Sequence, residues 1–222
     1  MSKLVSIERD GAQDARGALD QVVGEGGVVL FPADTLYGLG CDPTNEAAIL
    51  RIHEIKGRDE GKPSAVLYFS PLAMRELIAD LGSGARAAMG ALLPGPVTLV
   101  IANPARRYPL AARGDPERLG VRLIEGPLLG ANSVLFQTSA NISGKPPPAS
   151  SESVDPAIAA AVDLAIDGGD LLSAGIAAGP ALGKILRALL ELVIDDPRLN
   201  QRDVLLARAA ALAATTDPKE ED

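Results

Sequence analysis

Up to about residue 169, short apolar runs bounded by glycine and proline alternate with segments of helical spacing, and this alternation leaves few folds open. Val28-Val29-Leu30-Phe31 is a continuous apolar run of the kind a strand buried on both faces requires, and Pro32 ends it. Ahead of it, residues 11–23 place Ala12, Ala15, Leu19, Val22 and Val23 at helical spacing, until Gly24, Gly26 and Gly27 break the pattern. Ser64-Ala65-Val66-Leu67-Tyr68-Phe69, Val97-Thr98-Leu99-Val100-Ile101, Gly120-Val121-Arg122-Leu123-Ile124 and Ser133-Val134-Leu135-Phe136-Gln137 read as further strands. Several of these runs lie close together without a full helix between them. The pattern therefore predicts an α/β or α+β domain with a twisted mixed sheet and flanking helices, not a doubly wound parallel sheet.

With 222 residues, 47% of them hydrophobic, the chain can bury a substantial core, and no fixed-period repeat is present. There is no Trp and only three Tyr and three Phe, too few for an aromatic platform that stacks bases. A formal net charge of -8 argues against a protein that coats nucleic acid, although a local basic cleft on an acidic body remains open. The single cysteine, Cys41, and single histidine, His53, exclude an internal disulfide and a Cys/His zinc site of the usual ligand count, and both read as packing residues. The N-terminus lacks an apolar signal core and no stretch reaches membrane-spanning length, so a cytoplasmic protein without membrane contact is expected.

Asp34-Thr35-Leu36-Tyr37-Gly38-Leu39-Gly40 reads as a turn at a strand's end, where glycines admit close backbone approach and Thr35 and Tyr37 offer hydroxyls, or as a tight turn with a packed tyrosine. Asn45 suits the N-cap of a helix carrying Ala48, Ile49, Ile52 and Ile55 on one face. That helix delivers Lys56 and Arg58 at its C-terminal end, around Gly57, with Lys62 four residues on. Cations there complement the helix dipole, or they bind an anion. Arg122 lies within an apolar run, so it is either paired structurally or holds an anion. Thr138-Ser139-Ala140-Asn141-Ile142-Ser143-Gly144 supplies a turn of small hydrogen-bonding side chains, and Lys145-Pro146-Pro147-Pro148 reads as a stiff exposed connection.

Beyond Gly169 the texture changes. Gly179-Pro180 opens a helix with Leu182, Ile185, Leu186, Leu189, Leu190, Val193 and Ile194 in a wide apolar stripe. Asp195-Asp196-Pro197 stops it, and Asn200 caps a second helix, an αα-hairpin that must pack on the main domain or on a second copy. The division expected is a main domain over 1–169, a helical appendage over 170–216 and an acidic tail over 217–222.

Four segments in order resemble the YrdC-like family of L-threonylcarbamoyl-AMP synthases over about residues 10–169. They are Phe-Pro-Ala-Asp-Thr-Leu-Tyr-Gly-Leu-Gly at 31–40, Lys-Gly-Arg at 56–58 with Lys62-Pro63, Leu-Pro-Gly-Pro-Val-Thr-Leu-Val at 93–100, and Ser-Ala-Asn-Ile-Ser-Gly at 139–144. The resemblance implies a twisted sheet enclosing a basic concave cleft. It also implies a nucleotidyltransferase that joins L-threonine, bicarbonate or CO2, and ATP into threonylcarbamoyl-AMP and pyrophosphate, for threonylcarbamoyladenosine in tRNA. Lys56 and Arg58 match the family's Lys-x-Arg motif and would neutralise ATP phosphates, with Lys62 a weaker addition. Ser139 and Asn141 match its Ser-x-Asn motif, Thr35 a position that contacts threonine, and Arg122 the arginine that pairs with the threonine carboxylate. Mg2+ bridging the phosphates is expected without a dedicated protein cage, and tRNA and tRNA-modification proteins are the implied partners.

The chain departs from that pattern at three places. Position 33 is Ala, Asp34 replaces a glutamate, and after Gly169 the usual Pro-Ser-Thr-Val-Val-Asp-like segment is missing, with Ser173 as the one stand-in. Residues 170–208 instead resemble the C-terminal end of bacterial CCA-adding tRNA nucleotidyltransferases, without a catalytic motif of that enzyme. A noncatalytic RNA-binding module and a paralogue acting on another carbamoyl or nucleotide substrate are the alternatives.

Overall fold

The computed structural model describes residues 3–34, 36–59, 61–168, 188, 189, 192, 196–199, 204, 205, 207–209, 211 and 212. The strands are β1 (Lys3–Ser6), β2 (Val29–Pro32), β3 (Tyr37–Cys41), β4 (Ala65–Tyr68), β5 (Leu99–Ala102), β6 (Arg118–Leu123), β7 (Val134–Ser139) and β8 (Leu164–Asp167). They form one sheet in the order β1-β8-β2-β3-β7-β4-β6-β5. Strand β8 runs parallel to both β1 and β2, β4 runs parallel to β6, and the remaining pairs are antiparallel. The expected mixed sheet is therefore present.

Side chains alternate between two cores, as the pleat requires. Leu30, Val66, Tyr68 and Phe136 enter one core with Ile49 and Ile52, while Val29, Phe31, Leu67 and Leu135 enter the other with Ala15 and Leu19. Because both faces of the central strands are covered, β2 and β4 read as continuous apolar runs. Helix α1 (Ile7–Asp10) is short, and α2 (Ala12–Gly24) supplies Ala15, Leu19 and Val23 to the second core. Helix α3 (Glu46–Lys56) supplies Ile49 and Ile52 to the first, each fully buried and each contributing roughly 1.5–3 kcal/mol of transfer free energy. Helices α4 (Arg75–Ala79), α5 (Ser83–Leu92) and α6 (Pro156–Ala161) complete the flanks.

The ends of α3 follow from local chemistry. The Asn45 side chain accepts from the Ala48 amide 3.1 Å away, and Gly57 ends the helix in the left-handed region at φ 58°. Two loop assignments need correction. Tyr37–Cys41 is not a turn but a buried strand between β2 and β7, with Gly38 opposite Ser139 and Gly40 opposite Gln137. Its glycines answer to packing, since a Cβ on Gly40 would stand 2.7 Å from Leu135 Cδ1 and 3.1 Å from the Phe136 carbonyl oxygen. Pro148 is buried rather than exposed, and its carbonyl accepts from the Tyr37 amide at 2.9 Å.

The αα-hairpin read over residues 180–212 lies largely outside the described residues, among which Pro197–Leu199 forms a 3-10 turn and Ala209 is buried. Ser173 also lies outside them. No helix of the described residues is long and apolar enough to cross a membrane.

Candidate active site

Antiparallel pairing of β3 with β7 puts Ser139 beside Gly38, so the chain leaves β7 next to the β2–β3 hairpin. The Ala140 amide then donates to the Tyr37 carbonyl at 2.9 Å, which fixes the Ser139-Ala140-Asn141 turn at the end of two central strands. The end of α3 meets this turn, with the Ser143 amide donating to the Lys56 carbonyl at 2.8 Å.

Lys56 is far less exposed than a helix-end lysine usually is, at 3%. Its ammonium donates to the carbonyls of Ser139 and Asn141, the latter at 2.6 Å, and reaches Asn141 Oδ1 at 3.5 Å. All of these acceptors are neutral oxygens. Burial, followed by the neighbouring Arg58 charge, lowers the Lys56 pKa to about 8. Arg58 adds a second cation to the same turn: Nη1 donates to Thr138 Oγ1 and Nη2 to the Pro63 carbonyl, both at 2.8 Å. Burial lowers its pKa as well. Ser139 Oγ donates to Asn141 Oδ1, and Asn141 Nδ2 donates to the Ile142 carbonyl at 3.0 Å and to the Lys145 carbonyl. The structure thus brings together Lys56, Arg58, Ser139 and Asn141, while Lys62 is exposed at the periphery.

Arg122 projects from β6, four strand steps away from β2 in the sheet order. At about 4.8 Å per strand step, β2 and β6 would stand about 19 Å apart in a flat sheet. Asp34, just beyond β2, and the long Arg122 side chain nevertheless meet. Asp34 Oδ2 accepts from Arg122 Nη2 at 2.6 Å, and Asp34 Oδ1 accepts from the Glu125 amide at 2.7 Å. The side chains are 6% and 15% exposed, respectively. Of the two roles left open for Arg122, the ion pair is present. Thr35, the expected threonine contact, lies outside the described residues.

Sequence reasoning missed the partners of three residues it names. Thr138 anchors Arg58, Asp34 anchors Arg122, and Tyr37 links the turn to the end of β8. The Tyr37 hydroxyl accepts from the Gly168 amide at 2.8 Å and donates to Asp167 Oδ1 at 3.3 Å. An apolar run carrying one arginine did signal the need for a partner, and Asp34, following Phe-Pro-Ala, was the acid in a comparable setting. Cys41 is buried, its thiol pushed up to about 12 chiefly by burial, and His53 packs against Phe136 with ring centroids 5.8 Å apart. Both serve packing, as expected.

Fold and site together define a mixed-sheet α/β domain that clamps one buried and one half-buried cation onto a serine–asparagine turn. The Sua5/YciO/YrdC family model, described as "Telomere recombination", matches residues 21–177, and the chain belongs to this family. A second model, described as a putative tRNA nucleotidyltransferase domain 2, matches residues 152–209. A protein of Xanthomonas campestris pv. campestris named threonylcarbamoyl-AMP synthase is 37% identical over 150 residues, covering 64% of this chain and 80% of that protein. The crystal structure of P. abyssi Sua5 complexed with L-threonine is similar at a TM-score of 0.66 and 30% identity. The match covers 77% of this chain but only 51% of P. abyssi Sua5, about half its length. E. coli YciO, 24% identical with a TM-score of 0.63 over 77% of this chain and 85% of that one, shares the fold.

Proposed function

We propose that this chain is an L-threonylcarbamoyladenylate synthase, forming threonylcarbamoyl-AMP and pyrophosphate from L-threonine, bicarbonate or CO2, and ATP. The observation that carries the reading is Lys56, a buried ammonium whose acceptors are all neutral oxygens of the Ser139–Asn141 turn. With Arg58 beside it, the turn carries positive charge that an anion would compensate. The relatives named threonylcarbamoyl-AMP synthase and the threonine-bound P. abyssi Sua5 support the choice of reaction.

The chemistry asks for no protein nucleophile, which suits a site whose nearby thiol and imidazole are packed away. Threonine's amine adds to bicarbonate with loss of water to give a carbamate. A carbamate oxygen attacks the α-phosphorus of ATP, forming the new P–O bond as the bond to pyrophosphate breaks. In this reading Arg58 meets the phosphates, and Lys56 holds the turn and contributes its charge from beneath it. Ser139 and Asn141 exchange their mutual hydrogen bond for contacts to the nucleotide, Arg122 and Thr35 receive threonine, and Lys62 adds peripheral charge. Positioning and preorganised charge then supply the catalysis. Among the described residues no group of three or more His, Cys, Asp and Glu side chains is placed to hold a metal ion, so Mg2+ would enter with the triphosphate as part of the substrate.

The product's use in tRNA threonylcarbamoyladenosine belongs to the same proposal and places the chain in the cytoplasm, where ATP and tRNA meet. The match of residues 152–209 to a tRNA nucleotidyltransferase domain supports a tRNA contact through that part. Separate titrations of threonine and ATP against Arg122→Lys test the division of the site. Threonine affinity should fall while ATP affinity holds, because an ammonium lacks the planar fork that matches a carboxylate. Equal loss of both would reduce Arg122 to a structural ion pair.

A further inference from the structure

We infer that Asp34 is a positioning residue that fixes the Arg122 guanidinium for a second carboxylate, that of the amino-acid substrate. This rests on the reading of Arg122 as the carboxylate receptor. The geometry supports positioning over simple pairing. The Asp34 carboxylate is divided between two donors, with Oδ1 on the Glu125 amide at 2.7 Å and Oδ2 on Arg122 Nη2 at 2.6 Å. It cannot turn to grip the fork with both oxygens without giving up the Glu125 amide. Arg122 is thereby tethered through one nitrogen, while its Nε is buried with no hydrogen-bond partner. A buried guanidinium donor without an acceptor is costly, and an arriving carboxylate would relieve that cost.

Location and charge agree with this role. Asp34, the partner of Arg122, forms part of the wall of a cleft of about 170 Å3, together with Pro32, Ala33, Glu125, Gly126 and Gly168. Burial pushes the Asp34 carboxyl up, against the downward pull of Arg122, so its charge is held in place by the arginine. One guanidinium facing two carboxylates makes the site selective: the amino acid binds at full strength only while Asp34 keeps Arg122 aligned.

Binding of L-threonine, of L-threoninol, which carries a hydroxymethyl group in place of the carboxylate, and of ATP to the full-length chain tests the inference. Asp34→Asn preserves an acceptor for the Glu125 amide but removes the negative charge that faces Arg122. It should weaken threonine by about tenfold, leave threoninol and ATP unchanged, and so erase the preference for threonine. Asp34→Glu, which keeps the charge, should retain that preference. Equal losses for threonine and threoninol would reduce Asp34 to a structural role, and tighter threonine binding in Asp34→Asn would make it a competitor; either result overturns the inference. Arg122→Gln separates the two levels. If it leaves threonine binding intact, the reading of Arg122 fails and takes this one with it. A loss in Arg122→Gln without one in Asp34→Asn overturns the role of Asp34 alone.

Discussion

Raising the pH from about 7 to about 9.5 should stabilise the wild-type chain relative to Lys56→Met by about 2 kcal/mol. The cause is the buried ammonium. Lys56 titrates at about 8 when folded, against an ordinary value of 10.5, because burial and then Arg58 disfavour its charge. Between those two values the unfolded chain binds the proton that the folded chain has released. Stability therefore rises with pH through that window, and the full penalty of the shift, about 3 kcal/mol, applies below pH 8. Methionine has no such proton, and the other groups titrate in both proteins and cancel in the difference. Urea unfolding of both proteins across the pH range, read as the midpoint times the slope, measures the effect. The variant also carries a pH-independent loss, because the Ser139 and Asn141 carbonyls lose their donor. Saturating ATP should shrink the pH-dependent gain by restoring the charged form. Parallel stability curves for the two proteins would refute the assignment of Lys56 as a buried cation without an anionic partner.

Two further substitutions probe the turn and the strand beneath it. Arg58→Ala should lower nucleotide affinity by about tenfold or more, as a charge-assisted contact is lost, and calorimetric titration with ATP checks it. Unchanged ATP binding would remove Arg58 from the site. Gly40→Ala places a Cβ 2.7 Å from Leu135 Cδ1 and 3.1 Å from the Phe136 carbonyl, and should cost about 1–3 kcal/mol in urea unfolding. A midpoint equal to wild type would mean that β3 and β7 are less tightly apposed than described.

What was legible in the sequence was what neighbouring residues decide among themselves. Asn45 caps α3 and Gly57 ends it in the left-handed region because both depend on the local backbone alone. The apolar run of β2 declared a strand covered on both faces, and that of β4 declared a strand. What was not legible depends on residues distant in the chain. Tyr37–Cys41 carries two glycines and reads as a turn, yet β2 and β7 pair with it on either side, and the side chains of Phe31, Gln137 and Leu135 occupy the space that larger residues would need. Lys56 reads as a solvated helix end because its acceptors lie 83 and 85 residues away. The Arg122–Asp34 pair spans 88 residues, and neither local propensity nor periodicity carries that information.

The central claim is a reaction, and pyrophosphate release from ATP and bicarbonate over a panel of amino acids tests it most directly. The account predicts release that depends on L-threonine and falls with Arg58→Ala and Arg122→Lys. Release selective for another amino acid would make the chain a paralogue of different substrate, and no threonine-dependent release alongside retained tRNA binding would contradict the synthase outright.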